Sequence, residues 1–250
     1  MSLIEVNELT VTLGRRRIID RISFSVDAGL TMLLGRNGAG KSTLIKAMLG
    51  FIPCKGQISI GGNDIRRLNS RKRAQLVSYL PQHQAIPSGT SVQDYVAMGA
   101  FSEGRLLSAP GKEVYTAALN ELNALGIGSL AQRNIETLSG GEAKLAALAR
   151  TRIQNSIITL MDEPLAGLDF VHQHEFLART RAEGRPVLMS IHDPMLAWQY
   201  GTNILVLDDS GINSYSKTDA GLFEKKLKEV YGNSINFEHT GSMIIPVWHD

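Results

Sequence analysis

At 250 residues, 43% of them hydrophobic and 20% charged, the chain can bury one sizeable core, or one core with a small lobe, and is read as a single domain over 1–250. Its net charge of +2 gives no electrostatic footprint for nucleic acid, and its single cysteine, Cys54, excludes an internal disulfide and suits a reducing compartment. No apolar run approaches the roughly 18 residues that span a bilayer, and Met1 to Gly14 lacks the basic start and apolar core of a secretory signal, so a cytosolic chain is expected.

In chain order, Leu3 to Leu13 and Ile18 to Val26 are β-rich and predict an antiparallel sheet. The apolar stretch Leu30 to Leu34 then runs into Gly35-Arg36-Asn37-Gly38-Ala39-Gly40-Lys41-Ser42, followed by helix-like Thr43 to Leu49 and a closing Gly50. Gln57 to Ile60, a Gly61-Gly62-Asn63-Asp64 turn and Ile65 predict a further strand and a tight turn. The arginines at 15–17 and 66–73 read as solvated turns and helix faces, with contact to lipid headgroups or a partner as the other reading.

From 92 to 153 the composition shifts to Ala, Leu, Glu and Gln with helical spacing, as in Val114-Tyr115-Ala118-Leu119-Leu122-Leu125, and predicts a helical lobe in which Gly126-Ile127-Gly128 separates two helices. Buried strands follow at Ile157 to Met161, Val187 to Ile191 and Ile204 to Leu207, with helical segments between successive pairs. Strands alternating with helices predict a largely parallel sheet whose carboxyl edge holds the ligand.

The block 35–42 fits G-x-x-x-x-G-K-[ST] in its strand-to-helix setting. Glycines at 35, 38 and 40 let backbone N–H groups approach phosphates, and the helix beginning nearby offers its positive end. Lys41 then reaches the β- and γ-phosphates of ATP, and Ser42 is placed to ligate Mg2+. Asn37, Ala39 and Thr43 complete the binding segment. Some 120 residues downstream an apolar strand ends in Asp162-Glu163-Pro164. Asp162 is expected in the magnesium shell, and Glu163 is expected to polarise the attacking water.

Leu138-Ser139-Gly140-Gly141-Glu142, upstream of that acid pair, resembles the signature motif of ATP-binding cassette (ABC) ATPases, and the resemblance covers nearly the whole chain. It implies an α/β fold: a P-loop NTPase core with a mostly parallel sheet, an N-terminal antiparallel β subdomain and a helical subdomain at about 92–153. Family members pair head to tail, so the resemblance implies a homodimer in which Ser139, Gly140 and Gly141 of one chain meet the nucleotide held by the other. Tyr79-Leu80-Pro81-Gln82 resembles the Q-loop, placing Gln82 with the metal and water. Asp169 in Ala166-Gly167-Leu168-Asp169 resembles the D-loop, and His192 in Ser190-Ile191-His192-Asp193 resembles the switch histidine. His172 and His174 are read as surface residues.

Three positions depart from the family pattern. Leu13 stands where an aromatic often stacks on adenine, so that either Arg15 or Arg16 covers the base or base affinity is weaker; Ala143-Lys144-Leu145 replaces a more polar run; and Thr159 interrupts an apolar strand and needs a partner if buried.

Gln82 to Met98 and the ending from Val230-Tyr231-Gly232 to Ile245-Pro246 are similar to bacterial importers of metal chelates: iron-siderophore, haem or cobalamin. That resemblance implies an ATPase on the cytoplasmic face of the inner membrane, joined to two multi-span permease subunits and, through them, to a periplasmic or extracellular substrate-binding protein. Ile86, Val92 and Met98 are candidates for a permease-contacting groove, with ordinary core as the other reading. Exporter ATPases and soluble ABC ATPases of iron–sulfur assembly stay open as alternatives.

Overall fold

The computed structural model describes residues 2–84, 86–103, 111–232, 235–240 and 243–248. β1 (Ile4–Leu13) and β2 (Arg16–Val26) form an antiparallel hairpin. β3 (Leu30–Leu34) enters the core and leads into α1 (Lys41–Met48). β4 (Lys55–Ile60) pairs antiparallel with β1 and turns through Gly61 and Gly62 into β5 (Asn63–Asp64), giving a four-stranded sheet in the order β2-β1-β4-β5.

After α2 (Ser70–Leu76) and β6 (Val77–Leu80), the chain becomes helical: α3 (Val92–Ala97), α4 (Lys112–Ala124) and α5 (Gly140–Ile153). It then alternates β7 (Ile158–Met161), α6 (Phe170–Ala182), β8 (Val187–Ser190), α7 (Pro194–Tyr200) and β9 (Asn203–Asp208). β10 (Gly211–Ser216), α8 (Ala220–Tyr231) and the hairpin β11 (Ile235–Thr240) with β12 (Met243–Trp248) end the described chain. The central sheet has the order β10-β9-β3-β8-β7-β6 and is parallel except for the β9–β10 pair.

Alternation along the buried strands assigns one residue set to each face. Met32, Leu34, Met189, Ile204 and Val206 join the core beneath the helices; Leu33, Leu188, Leu205 and Leu207 join the core formed with α1 and the antiparallel sheet. Both faces are covered, so these strands are mainly apolar, with Thr31 and Ser190 as buried polar exceptions. The antiparallel sheet, the largely parallel sheet and the helices match the predicted α/β class.

Several local expectations are corrected. Leu119 is exposed although Ala118 and Leu122 are fully buried, because it lies beyond the edge of the inward stripe of α4. Ile157 precedes β7 and is exposed. Arg73 is not a solvated cation: its guanidinium donates to the carbonyls of Leu49 and Gly50 beyond α1 and to that of Leu68. Val92 is fully buried, whereas Ile86 is exposed and Met98 lines a groove with Tyr79, Pro81 and Arg150. Ala85, 233–234 and 241–242, within the importer-like segments, lie outside the described residues.

Candidate functional site

Strand register builds the site. Leu80 of β6 pairs with Met161 of β7, Met161 with Met189 of β8, and Ser190 of β8 with Leu33 of β3. Four neighbouring parallel strands therefore end on one line, and each delivers its next residues to the same edge: 35–42 after β3, His192 after β8, Asp162 and Glu163 after β7, Gln82 after β6. This is the carboxyl edge at which open α/β sheets bind ligands.

Within the glycine-rich loop, Gly35, Gly38 and Gly40 have φ of 155°, 82° and 100°. A Cβ at Gly35 would lie 2.4 Å from the Leu207 carbonyl oxygen, so the loop passes too close to β9 for any side chain there. Lys41 is buried, and its ammonium donates to the Gly35 carbonyl at 2.7 Å and stands 3.4 Å from His192 Nδ1. Burial lowers its pKa, opposed by the charges of Glu163 and Asp162.

The two acids are aimed apart by their backbone. Asp162, buried, accepts at Oδ1 from the Ser42 and Ser190 hydroxyls, both at 2.9 Å. Glu163 has a φ of 45°, a strained conformation for a residue with a side chain. Its N–H donates to Ser190 Oγ at 2.8 Å. Its carboxylate lies between two motif residues, with His192 Nε2 2.6 Å from Oε1 and Gln82 Nε2 donating to Oε2 at 2.8 Å. Lys144 fixes the Gln82 backbone from α5, donating to its carbonyl at 3.0 Å; burial depresses the Lys144 pKa.

Asn37, Gly38, Gly40, Lys41, Ser42, Thr43, Gln82, Glu163 and His192 line one cleft, together with Ile18. Ala39 and Gly38 also border a neighbouring cavity with Arg16 and Asp208. The cleft offers an ammonium and the start of α1 to a polyphosphate, a hydroxyl beside a carboxylate to a hard cation, and a second carboxylate to a water molecule. Thr159 finds its partner in the Ser78 hydroxyl at 2.8 Å. Leu13, at the tip of the β1–β2 hairpin, is exposed and does not line the cleft; the apolar wall there is Ile18.

Ser139, Gly140, Gly141 and Asp169 do not line this cleft; they form a second cluster. Ser139 caps α5, its hydroxyl accepting from the Glu142 N–H while Glu142 Oε2 accepts from the Ser139 N–H. The Ser-x-x-Glu spacing carries that signal in the sequence. Asp169 caps α6, accepting at Oδ1 from the His172 N–H at 2.9 Å and lying 2.8 Å from its ring Nδ1. His172, expected as a surface residue, lies against Gly141: a Cβ there would be 2.7 Å from its ring. His174, likewise expected on the surface, is half-buried with Nδ1 2.8 Å from the Tyr200 hydroxyl. Ser190, Lys144, His172 and Ile18 are the contacts that motif reading missed. Ser190 alone stood inside a quoted motif.

Comparison with known proteins gives a consistent picture. Residues 19–166 match the family model described as ABC transporter. The chain is 30% identical over 255 residues to a probable iron chelatin transport ATP-binding protein of Helicobacter pylori, covering 99% of this chain and 96% of that one. It is 34% identical over 244 residues to the manganese transport system ATP-binding protein MntB of Bacillus subtilis, covering 95% of each. A metal-chelate type ABC transporter solved in an inward-facing conformation superposes with a TM-score of 0.83 at 22% identity, covering 99% of this chain and 98% of that one.

Proposed function

The chain belongs to the ABC transporter family of ATP-binding cassettes, and on that premise we propose that it is the ATP-hydrolysing subunit of an importer for an iron-siderophore, haem or cobalamin-type metal chelate. The observation that carries the ATPase reading is Glu163, held between His192 and Gln82 and facing the cleft of Lys41. In this reading the loop 35–42 and Lys41 bind the phosphates of ATP, Glu163 positions and polarises the attacking water, and His192 contacts the γ-phosphate. Ser42, Asp162 and Gln82 offer hydroxyl, carboxylate and amide oxygens, a donor set that suits magnesium, which when bound with ATP neutralises phosphate charge.

The position of Ser139, Gly140 and Asp169 outside their own chain's cleft supports a head-to-tail homodimer with two ATP molecules between the subunits. The whole chain is one nucleotide-binding domain, and the helices of 92–153 form a lobe that carries Ser139 and supplies one side of the groove, Met98 and Arg150, opposite Tyr79 and Pro81. The groove of each chain receives a helix from one of the two permease subunits at the cytoplasmic face of the inner membrane, and a substrate-binding protein delivers cargo from outside. ATP binding closes the dimer and draws the grooves together; hydrolysis reopens it. The manganese-transport relative favours a second reading of the cargo, a metal ion without a chelator.

Replacing Glu163 with Gln removes the general base and keeps the phosphate contacts. ATP turnover should fall by about 10²-fold or more while ATP affinity is retained. The E163Q chain with ATP, purified from detergent-solubilised membranes, should carry a multi-span permease identified by mass spectrometry. Unchanged turnover would remove Glu163 from its role, and recovery of soluble partners only would overturn the importer.

A further inference from the structure

Two elements that the head-to-tail reading assigns to the opposite nucleotide, the segment 139–141 and Asp169, are joined within one chain by a single side chain. Asp169 Oδ1 accepts from the His172 N–H at 2.9 Å and meets the ring Nδ1 at 2.8 Å. The backbone N–H and then the ring hold the Asp169 carboxyl below the usual carboxylate range. An ionised carboxylate only accepts, so Nδ1 carries the proton. That fixes the ring's rotation about α6. The opposite edge of the ring lies on Gly141: an ideal Cβ there would meet Cδ2 at 2.7 Å and Nε2 at 3.2 Å. Gly141 is buried while Ser139 and Gly140 beside it are exposed.

The capping bonds between Ser139 and Glu142 make the start of α5 rigid with Gly141. Displacing that end of α5 therefore presses on the imidazole, and the imidazole is bonded to Asp169. The neighbouring Phe170 and Val171 are 74% and 60% exposed, so the surface next to Asp169 is apolar and open. His172 itself does not line the Lys41 cleft.

We infer that His172 is a positioning residue: it locks Asp169 to the Ser139–Gly141 element, so that one protomer presents both to its partner's nucleotide as a single rigid surface. This rests on the head-to-tail reading proposed above. His172 then governs assembly of the composite site and leaves ATP capture by its own chain alone.

The test uses the full chain in the E163Q background, which should dimerise with ATP. H172A should weaken ATP-driven dimerisation, followed by size-exclusion chromatography, by about tenfold, the scale of one charge-assisted hydrogen bond. Affinity of the monomer for a non-hydrolysable ATP analogue should stay within about twofold. H172N, whose amide N–H can replace Nδ1–H, should recover most of the dimerisation. With Glu163 intact, H172A should lower kcat and leave KM nearly unchanged. Equal dimerisation of H172A/E163Q and E163Q overturns the inference, as does an equal loss of monomer affinity or a lack of recovery in H172N. Failure of E163Q itself to dimerise with ATP overturns the head-to-tail reading instead, and the inference with it.

Discussion

Ser190 fastens both acids of the cleft with one hydroxyl, donating to Asp162 Oδ1 at 2.9 Å and accepting from the Glu163 N–H at 2.8 Å. It is fully buried. Its second bond holds the left-handed φ of 45° at Glu163, a conformation that persists only where its surroundings enforce it. Ser190→Ala should therefore lower stability in urea denaturation by about 1–3 kcal/mol, the usual penalty for an unsatisfied buried group. It should also reduce kcat about tenfold, because Glu163 is released from its aim, while ATP affinity follows Lys41 and changes little. Unaltered stability and turnover would show that the clamp is idle. Lys41, Ser42, Asp162 and Glu163 were legible in the sequence because a glycine-rich loop and a strand-end acid pair tie their chemistry to residue types at fixed spacing, whereas Gln82 and His192 were picked out only by their resemblance to the family's motifs. Ser190 was not, since its use depends on β8 lying beside β7, which no local spacing expresses. Lys144 and His172 were missed for the same reason, as their partners Gln82 and Gly141 belong to distant segments.

Among elements, the hairpin β1–β2 and its neighbour β4 show where the backbone rather than the side chains sets the structure. The β1–β4 register shifts between Asn7 and Thr10, Glu8 takes a φ of 51°, and Gly56 opposite has a φ of 93°. A Cβ at Gly56 would lie 2.4 Å from the Glu8 carbonyl oxygen and 2.6 Å from that of Asn7. Backbone has no side-chain freedom with which to yield. Gly56→Ala should accordingly destabilise the fold by about 2–4 kcal/mol, adding the strain of a left-handed alanine to the overpacking. Denaturant unfolding checks this, and ATP affinity of the molecules that remain folded should be unchanged because Gly56 is remote from the cleft. A loss below about 0.5 kcal/mol would mean that the bulge relaxes freely. Elements buried on both faces, such as β3, β7, β8 and β9, were readable as apolar runs. β10 was not, because its half-exposed Gly211–Ser216 stretch carries little apolar signal, and β6 is a four-residue strand directly following α2. Helical spacing located α4 yet misplaced Leu119, since periodicity gives the stripe but not its edges.

At the scale of the whole molecule, each chain holds two incomplete surfaces: the Lys41 cleft and the cluster of Ser139, Gly140, Gly141 and Asp169, which does not line it. If a head-to-tail dimer completes both, the two surfaces can be inactivated separately and must then complement each other. Lys41→Ala removes the buried ammonium and should abolish ATP capture. Gly141→Asp should also be inactive, because its side chain collides with the His172 ring and adds a negative charge where phosphate is to dock. Neither homodimer turns over. In an equal mixture, half of the dimers pair one chain of each kind, and such a dimer has one site built from an intact cleft and an intact signature, while its other site carries both defects. Half of the dimers with one of two sites intact gives about a quarter of the wild-type ATPase rate, provided that the sites work independently. A steady-state assay of the mixture measures it. Recovery towards that level requires that the nucleotide be shared between chains, since no rearrangement within one chain restores either defect. Complete absence of recovery, with mixed dimers present by size-exclusion chromatography, means either that both sites must fire together or that each cleft is closed by its own chain. Protein concentration separates the two: a site shared between chains loses specific activity on dilution, whereas a site closed within one chain does not.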